Sequence, residues 1–92
     1  MPAKRVHIVV AGRVQGVFFR ASVVREARSV GAKGYVKNLP DGSVEAVVEG
    51  DVEAVDHVTE FCRTGPPSAR VDRISVTDQD PTGSETDFVV RY

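Results

Sequence analysis

Two stretches of helical spacing with an alternating hairpin between them constrain this chain more than anything else in it. Val23, Val24, Ala27 and Val30 recur on one helix face, with Arg25, Glu26 and Arg28 between them and Gly31 as a C-terminal cap. Val52, Val55, Val58 and Cys62 form a second stripe, with Phe61 beside it and Asp51 as an N-cap; Gly65-Pro66-Pro67 ends it. Between the two helices, Gly34 to Lys37 and Val44 to Glu49 read as strands around a Leu39-Pro40-Asp41-Gly42 turn, with Val44, Ala46 and Val48 sharing one face.

Ahead of the first helix lies a β-branched run, Val6 to Gly12, with Val6, Ile8 and Val10 on one face and its end at Gly12. Arg70 to Thr77 alternates through Val71, Ile74 and Val76, and Phe88 to Tyr92 makes a last short strand after a polar stretch from Asp78 to Asp87. The order βαββαβ plus a terminal strand predicts an α+β ferredoxin-like sandwich, an antiparallel sheet of four to five strands with two helices on one face. Ninety-two residues suit one domain, 1–92. Function does not follow from this arrangement, which hosts enzymes, metal carriers, ligand sensors and RNA binders.

Composition narrows the classes. A hydrophobic share of 41% and a charged share of 27% belong to a globular chain. A net charge of -1 gives no general pull toward nucleic acid or an anionic membrane. The strands lack the paired exposed aromatics that RNA stacking requires. No apolar run is long enough for a bilayer, and the single Cys62 forbids an internal disulfide, so a cytoplasmic setting is expected. Cys62 reads as a small buried hydrophobe, and His7 and His57 as a strand residue and a polar helix residue. With no His, Cys and carboxylate cluster at ligand spacing, neither a metal nor a cofactor is expected. Charge is uneven, however: Met1 to Arg25 contains no acid, while Lys4, Arg5, Arg13, Arg20 and Arg25 are cationic.

Gly12-Arg13-Val14-Gln15-Gly16-Val17-Phe18-Phe19-Arg20 joins a strand to a helix, where free backbone N–H groups and the helix dipole favour an anion. Arg20 at that positive end calls for a negative partner, and a phosphate held by its forked N–H groups would supply one. Equally, Arg20 can reach solvent while Val14, Val17 and Phe19 anchor an ordinary loop. Asn38, ahead of the Pro-Asp-Gly turn, has two readings as well. Asn is common there for conformational reasons, and a neutral carboxamide that both donates and accepts can also hold a water without repelling a phosphate dianion.

Together the two segments resemble the acylphosphatase family. Val10-Ala11-Gly12-Arg13-Val14-Gln15-Gly16-Val17-Phe18-Phe19-Arg20 is similar to its phosphate-binding signature. Gly34-Tyr35-Val36-Lys37-Asn38, followed by Gly42, Val44 and Gly50, is similar to its second signature in identity and spacing. The resemblance runs nearly end to end. It implies hydrolysis of small acyl phosphates without metal or covalent intermediate, with Arg20 and Asn38 as catalytic residues. It also implies that the phosphate lies against Gln15, Gly16, Val17, Phe18, Phe19 and Arg20, and that Asn38 orients the attacking water. Val23 stands where family members often carry Thr, which removes a hydroxyl and implies a modest effect on rate.

The chemistry needs little more. A carboxylate, whose conjugate acid has a pKa of roughly 4, departs without a general acid, so positioning and charge stabilisation suffice. Inorganic phosphate is expected as product and competitive inhibitor, and the ordinary charged surface predicts a monomer. Arg91 or the Tyr92 carboxylate is expected to brace Arg20 from the last strand. The rivals are an anion-sensing domain without turnover and a piece of a larger carbamoyl-transferring maturation protein.

Overall fold

A computed structural model describes residues 3–92. Its elements run β1 (Ala3–Arg13), α1 (Phe19–Ser29), β2 (Lys33–Asn38), β3 (Val44–Asp51), α2 (Val52–Thr64), β4 (Arg70–Gln79) and β5 (Phe88–Val90). The strands form one sheet in the order β4-β1-β3-β2-β5. β1 is antiparallel to both β3 and β4, and β2 to β3, as a split βαβ arrangement requires. The fifth strand adds one parallel pairing, Gly34 to Phe88, Tyr35 to Val89 and Val36 to Val90, so the sheet is mixed.

Strand periodicity and helix stripes meet in a single core. Val6, Ile8 and Val10 of β1, Val36 of β2 and Val44, Ala46 and Val48 of β3 are buried together with Val23 and Ala27 of α1 and Val55, Val58 and Cys62 of α2. Residues one position out of phase carry the polar face, where His7 meets Glu45 at 2.9 Å and Arg5 meets Glu49 at 2.9 Å. Gly34 has φ +136°, and a Cβ there would run into the Val47 carbonyl, so glycine lets β2 approach β3 at this point. Burial pushes the Cys62 thiol up to about 12, in keeping with an inert core residue.

Four local outcomes differ from the expectations, one being that the last strand ends at Val90 instead of Tyr92. β1 does not stop at Gly12: a register shift between Ala11 and Gly12 absorbs the glycine, and pairing with β4 continues to Arg13. β4 reaches Gln79 because its polar end still has a neighbour, Arg5 of β1, whose Nε donates to Gln79 Oε1 at 3.0 Å. Asp51 precedes α2 in extended conformation, but its side chain makes no capping bond, since β3 runs straight into the helix.

Residues 80–87 then carry the chain from one edge strand to the other. Glu49 anchors this crossing, accepting from Arg5 Nη1 at 2.9 Å, the Thr82 N–H at 3.1 Å and the Gly83 N–H at 2.7 Å. Burial alone would raise its carboxyl, but these bonds and that of the Thr82 hydroxyl outweigh it and hold the group at about 2. Lys4 pairs with Asp56, and Arg5 with Glu49 and Glu85, near the start of β1. Two cations of the acid-free stretch are thus engaged at the end of the sheet remote from the β1–α1 loop.

Candidate active site

The β1–α1 loop is pinned from below and open above. Val14, Val17 and Phe19 are buried in the core, and the Val17 carbonyl accepts from the Ser68 hydroxyl at 2.8 Å. Gly16 (φ +72°) and Phe18 (φ +64°) turn the backbone through the left-handed region. The anchoring that an ordinary loop would show is therefore present, and it leaves the other side of the backbone free. Among the described residues, no N–H from Gln15 to Arg20 donates to a protein carbonyl, and the first bond of α1 runs from the Ser22 N–H to the Phe18 carbonyl at 3.0 Å. Phe18 occupies the N-cap position without a side-chain capping bond, and the first turn carries no acid. A row of unpaired donors at a positive helix end suits a tetrahedral anion.

Arg20 lies in that first turn, and among the described residues no carboxylate pairs with it. Its guanidinium stands 5.4 Å from the centroid of the Tyr92 ring. The brace expected from the Tyr92 carboxylate or from Arg91 is replaced by a contact with the Tyr92 ring. Arg91 turns elsewhere and covers the Tyr35 ring at 4.1 Å. Arg20, Gly16, Phe18, Phe19, Ala21, Val14, Val90 and Tyr92 enclose a cleft of about 340 Å³.

Asn38 ends β2 and lies outside the lining of that cleft. Its Oδ1 is buried and has no hydrogen-bond partner in the protein, the condition of an acceptor suited to a water or ligand donor. The following turn is tightly built. The Leu39 N–H donates to the Ser43 carbonyl at 2.8 Å, the Gly42 N–H to the Leu39 carbonyl at 3.1 Å, and the Ser43 N–H to Asp41 Oδ1 at 3.0 Å. Bonds from the Ser43 hydroxyl and amide lower the Asp41 carboxyl below its ordinary value.

What joins the two segments is the Gln15 side chain. Its Nε2 donates to the Leu39 carbonyl at 2.8 Å and to the Ser43 carbonyl at 2.9 Å. Of the residues singled out in the sequence, Gly16, Phe18, Phe19 and Arg20 line the cleft, while Val17 and Phe19 bury their side chains and offer only backbone to a ligand. The Gln15 clasp and the Tyr92 ring are features that sequence reasoning missed. An amide inside the loop and an aromatic after the last strand were visible, but their partners are set only by tertiary contact.

Comparison with known proteins shows the family and the fold. A model of the acylphosphatase family matches residues 6–90. The acylphosphatase of Methylococcus capsulatus is 55% identical over 87 residues, covering 95% of this chain and 95% of its own. Among solved structures, acylphosphatase from Bacillus subtilis superposes with a TM-score of 0.92 at 38% identity, over 97% of this chain and 99% of that one. HypF from T. kodakarensis matches with a TM-score of 0.83 at 41% identity, over 97% of this chain but 12% of that longer protein.

Proposed function

Because the chain belongs to the acylphosphatase family and hydrolyses acyl phosphates, we propose that Arg20, Asn38 and the backbone N–H groups from Gln15 to Arg20 carry that reaction within a single domain, 1–92. The observation that bears most of the weight is the row of unpaired amides beside an Arg20 that lacks a carboxylate partner. The phosphoryl oxygens accept from these amides, and Arg20 adds forked, charge-assisted bonds. Negative charge growing on the equatorial oxygens meets donors already in place, so little reorganisation accompanies the step.

Asn38 holds the nucleophile. One water proton bonds to its buried Oδ1, which turns an oxygen lone pair toward phosphorus. The new P–O bond forms as the bond to the acyl oxygen breaks, and the electron pair leaves with the carboxylate. Water and an acyl phosphate dianion thus become a carboxylate and dihydrogen phosphate, and atoms and charge balance. No group needs to protonate the departing oxygen. The substrate is a small acyl phosphate, with inorganic phosphate as product and competitive inhibitor, and the protein works as a monomer. No helix among the described residues is long and apolar enough to cross a membrane.

The test is hydrolysis of benzoyl phosphate in EDTA by the wild type, Arg20→Ala and Asn38→Ala. Each variant is expected to lose most turnover, on the order of 10²-fold or more, while keeping the circular dichroism of the fold. Arg20→Ala should also weaken inhibition by inorganic phosphate, whereas Asn38→Ala should act mainly on kcat. Undiminished turnover in both variants rejects these roles.

A further inference from the structure

Among the described residues the exposed large hydrophobic side chains are Phe18 at 80%, Val76 at 39%, Val89 at 38% and Tyr92 at 100%. The two aromatics border the same cleft, and that cleft also contains Arg20. Phe18 is held at φ 64° and ψ 20°, a conformation that is unfavourable for a bulky L residue. No core packing offsets this, since the ring points into solvent. Val14 and Val90 give the cleft an apolar floor, so it has a cationic end and an apolar mouth. Its volume of about 340 Å³ lies at the small end of ligand sites, enough for a single ring attached to the phosphoryl group.

In-line displacement fixes where the acyl group goes. The leaving oxygen departs on the side of phosphorus opposite the attacking water. Asn38, which holds that water in the reading above, is not part of the cleft wall, whereas Phe18 and Tyr92 are. Resting on that reading of the site, we propose that Phe18 and Tyr92 form an acyl-binding pair that selects aromatic acyl phosphates over short aliphatic ones. The ring of an aroyl group lies against Phe18 in offset or edge-to-face contact, and Tyr92 closes the other side while remaining against Arg20.

The experiment compares kcat/KM for benzoyl phosphate and acetyl phosphate in the wild type, Phe18→Asn and Phe18→Tyr. Asn tolerates the left-handed backbone, so the loop keeps its course, and Tyr restores a ring. Since the Phe18 amide belongs to the phosphate cradle, the quantity read is the benzoyl-to-acetyl ratio, from which any loss common to both substrates cancels. The ratio is expected to fall roughly tenfold in Phe18→Asn, the scale of one lost aromatic pair, and to recover in Phe18→Tyr. An unchanged ratio in Phe18→Asn, with both substrates still hydrolysed by the wild type, overturns the acyl-binding role and leaves the phosphate site standing. A wild type that hydrolyses neither substrate overturns both.

Discussion

Replacing Gln15 with Met tests whether the two halves of the site are held together by the clasp. Met has nearly the length of Gln and no donor, so Gln15→Met removes the bonds from Nε2 to the Leu39 carbonyl at 2.8 Å and the Ser43 carbonyl at 2.9 Å with little change in volume. Neither carbonyl is orphaned, because the Gly42 and Leu39 N–H groups still donate to them. The loss is therefore two ordinary net hydrogen bonds, about 2 kcal/mol in total, without the further cost of a buried unsatisfied acceptor. In a domain of this size that lowers Tm by roughly 8–16 °C. A second effect falls on rate. With the loop and the Asn38 turn free to drift apart, a displacement near 1 Å lowers kcat on the order of 10²-fold, while the inhibition constant of inorganic phosphate, which does not depend on the Asn38 turn, moves far less. Thermal unfolding by circular dichroism and steady-state hydrolysis of benzoyl phosphate read the two effects separately. A Tm within about 2 °C of wild type, a shift of only a fraction of a kcal/mol, or a kcat that falls no more than phosphate affinity does, refutes the clasp.

Two further outcomes follow from contacts at opposite ends of the sheet. Glu49 sits at about 2 in the fold against an ordinary 4.5, so its stabilising charge is complete above about 4.5 and lost as pH falls from there toward 2. Urea unfolding of Glu49→Gln should show lower stability at pH 7, by at most about 3 kcal/mol, and a flatter decline across that acid window; parallel pH profiles for the two proteins would refute the assignment. Removing Arg91 and Tyr92 deletes the ring beside Arg20 and should weaken inhibition by inorganic phosphate about two- to fivefold. Unaltered inhibition after that trimming shows that the ring does not hold the guanidinium.

Much of the architecture was legible because periodicity records burial. Val6, Ile8 and Val10, the Val23 and Ala27 face, and the Val55, Val58 and Cys62 stripe all lie in the core. Element ends were less legible. Whether β1 halts at Gly12 depends on what β4 can still pair with, and β4 reached Gln79 through a partner dozens of residues away. The parallel entry of β5 left no local mark either, since three residues carry too little pattern to show direction. For the site, the Gly12 to Arg20 and Gly34 to Asn38 segments were visible as motifs, and chain order placed Arg20 at the positive end of α1, whose first turn contains it. The acid-free N-terminal stretch was a poorer guide, because Lys4 and Arg5 meet carboxylates supplied by α2, β3 and the crossing segment.

The sheet order also has a kinetic consequence. The cleft draws on the loop after β1 and on Val90 and Tyr92 beyond the last crossing, and β5 is held by Val36 pairing with Val90 and by the Arg91 N–H on the Val36 carbonyl at 2.9 Å. That closure spans more than half the domain, the kind of distant pairing that slows folding. During synthesis, which builds the amino-terminal part first, the phosphate loop can curl long before its far wall arrives. Selectivity for the acyl group is accordingly the last property the molecule acquires.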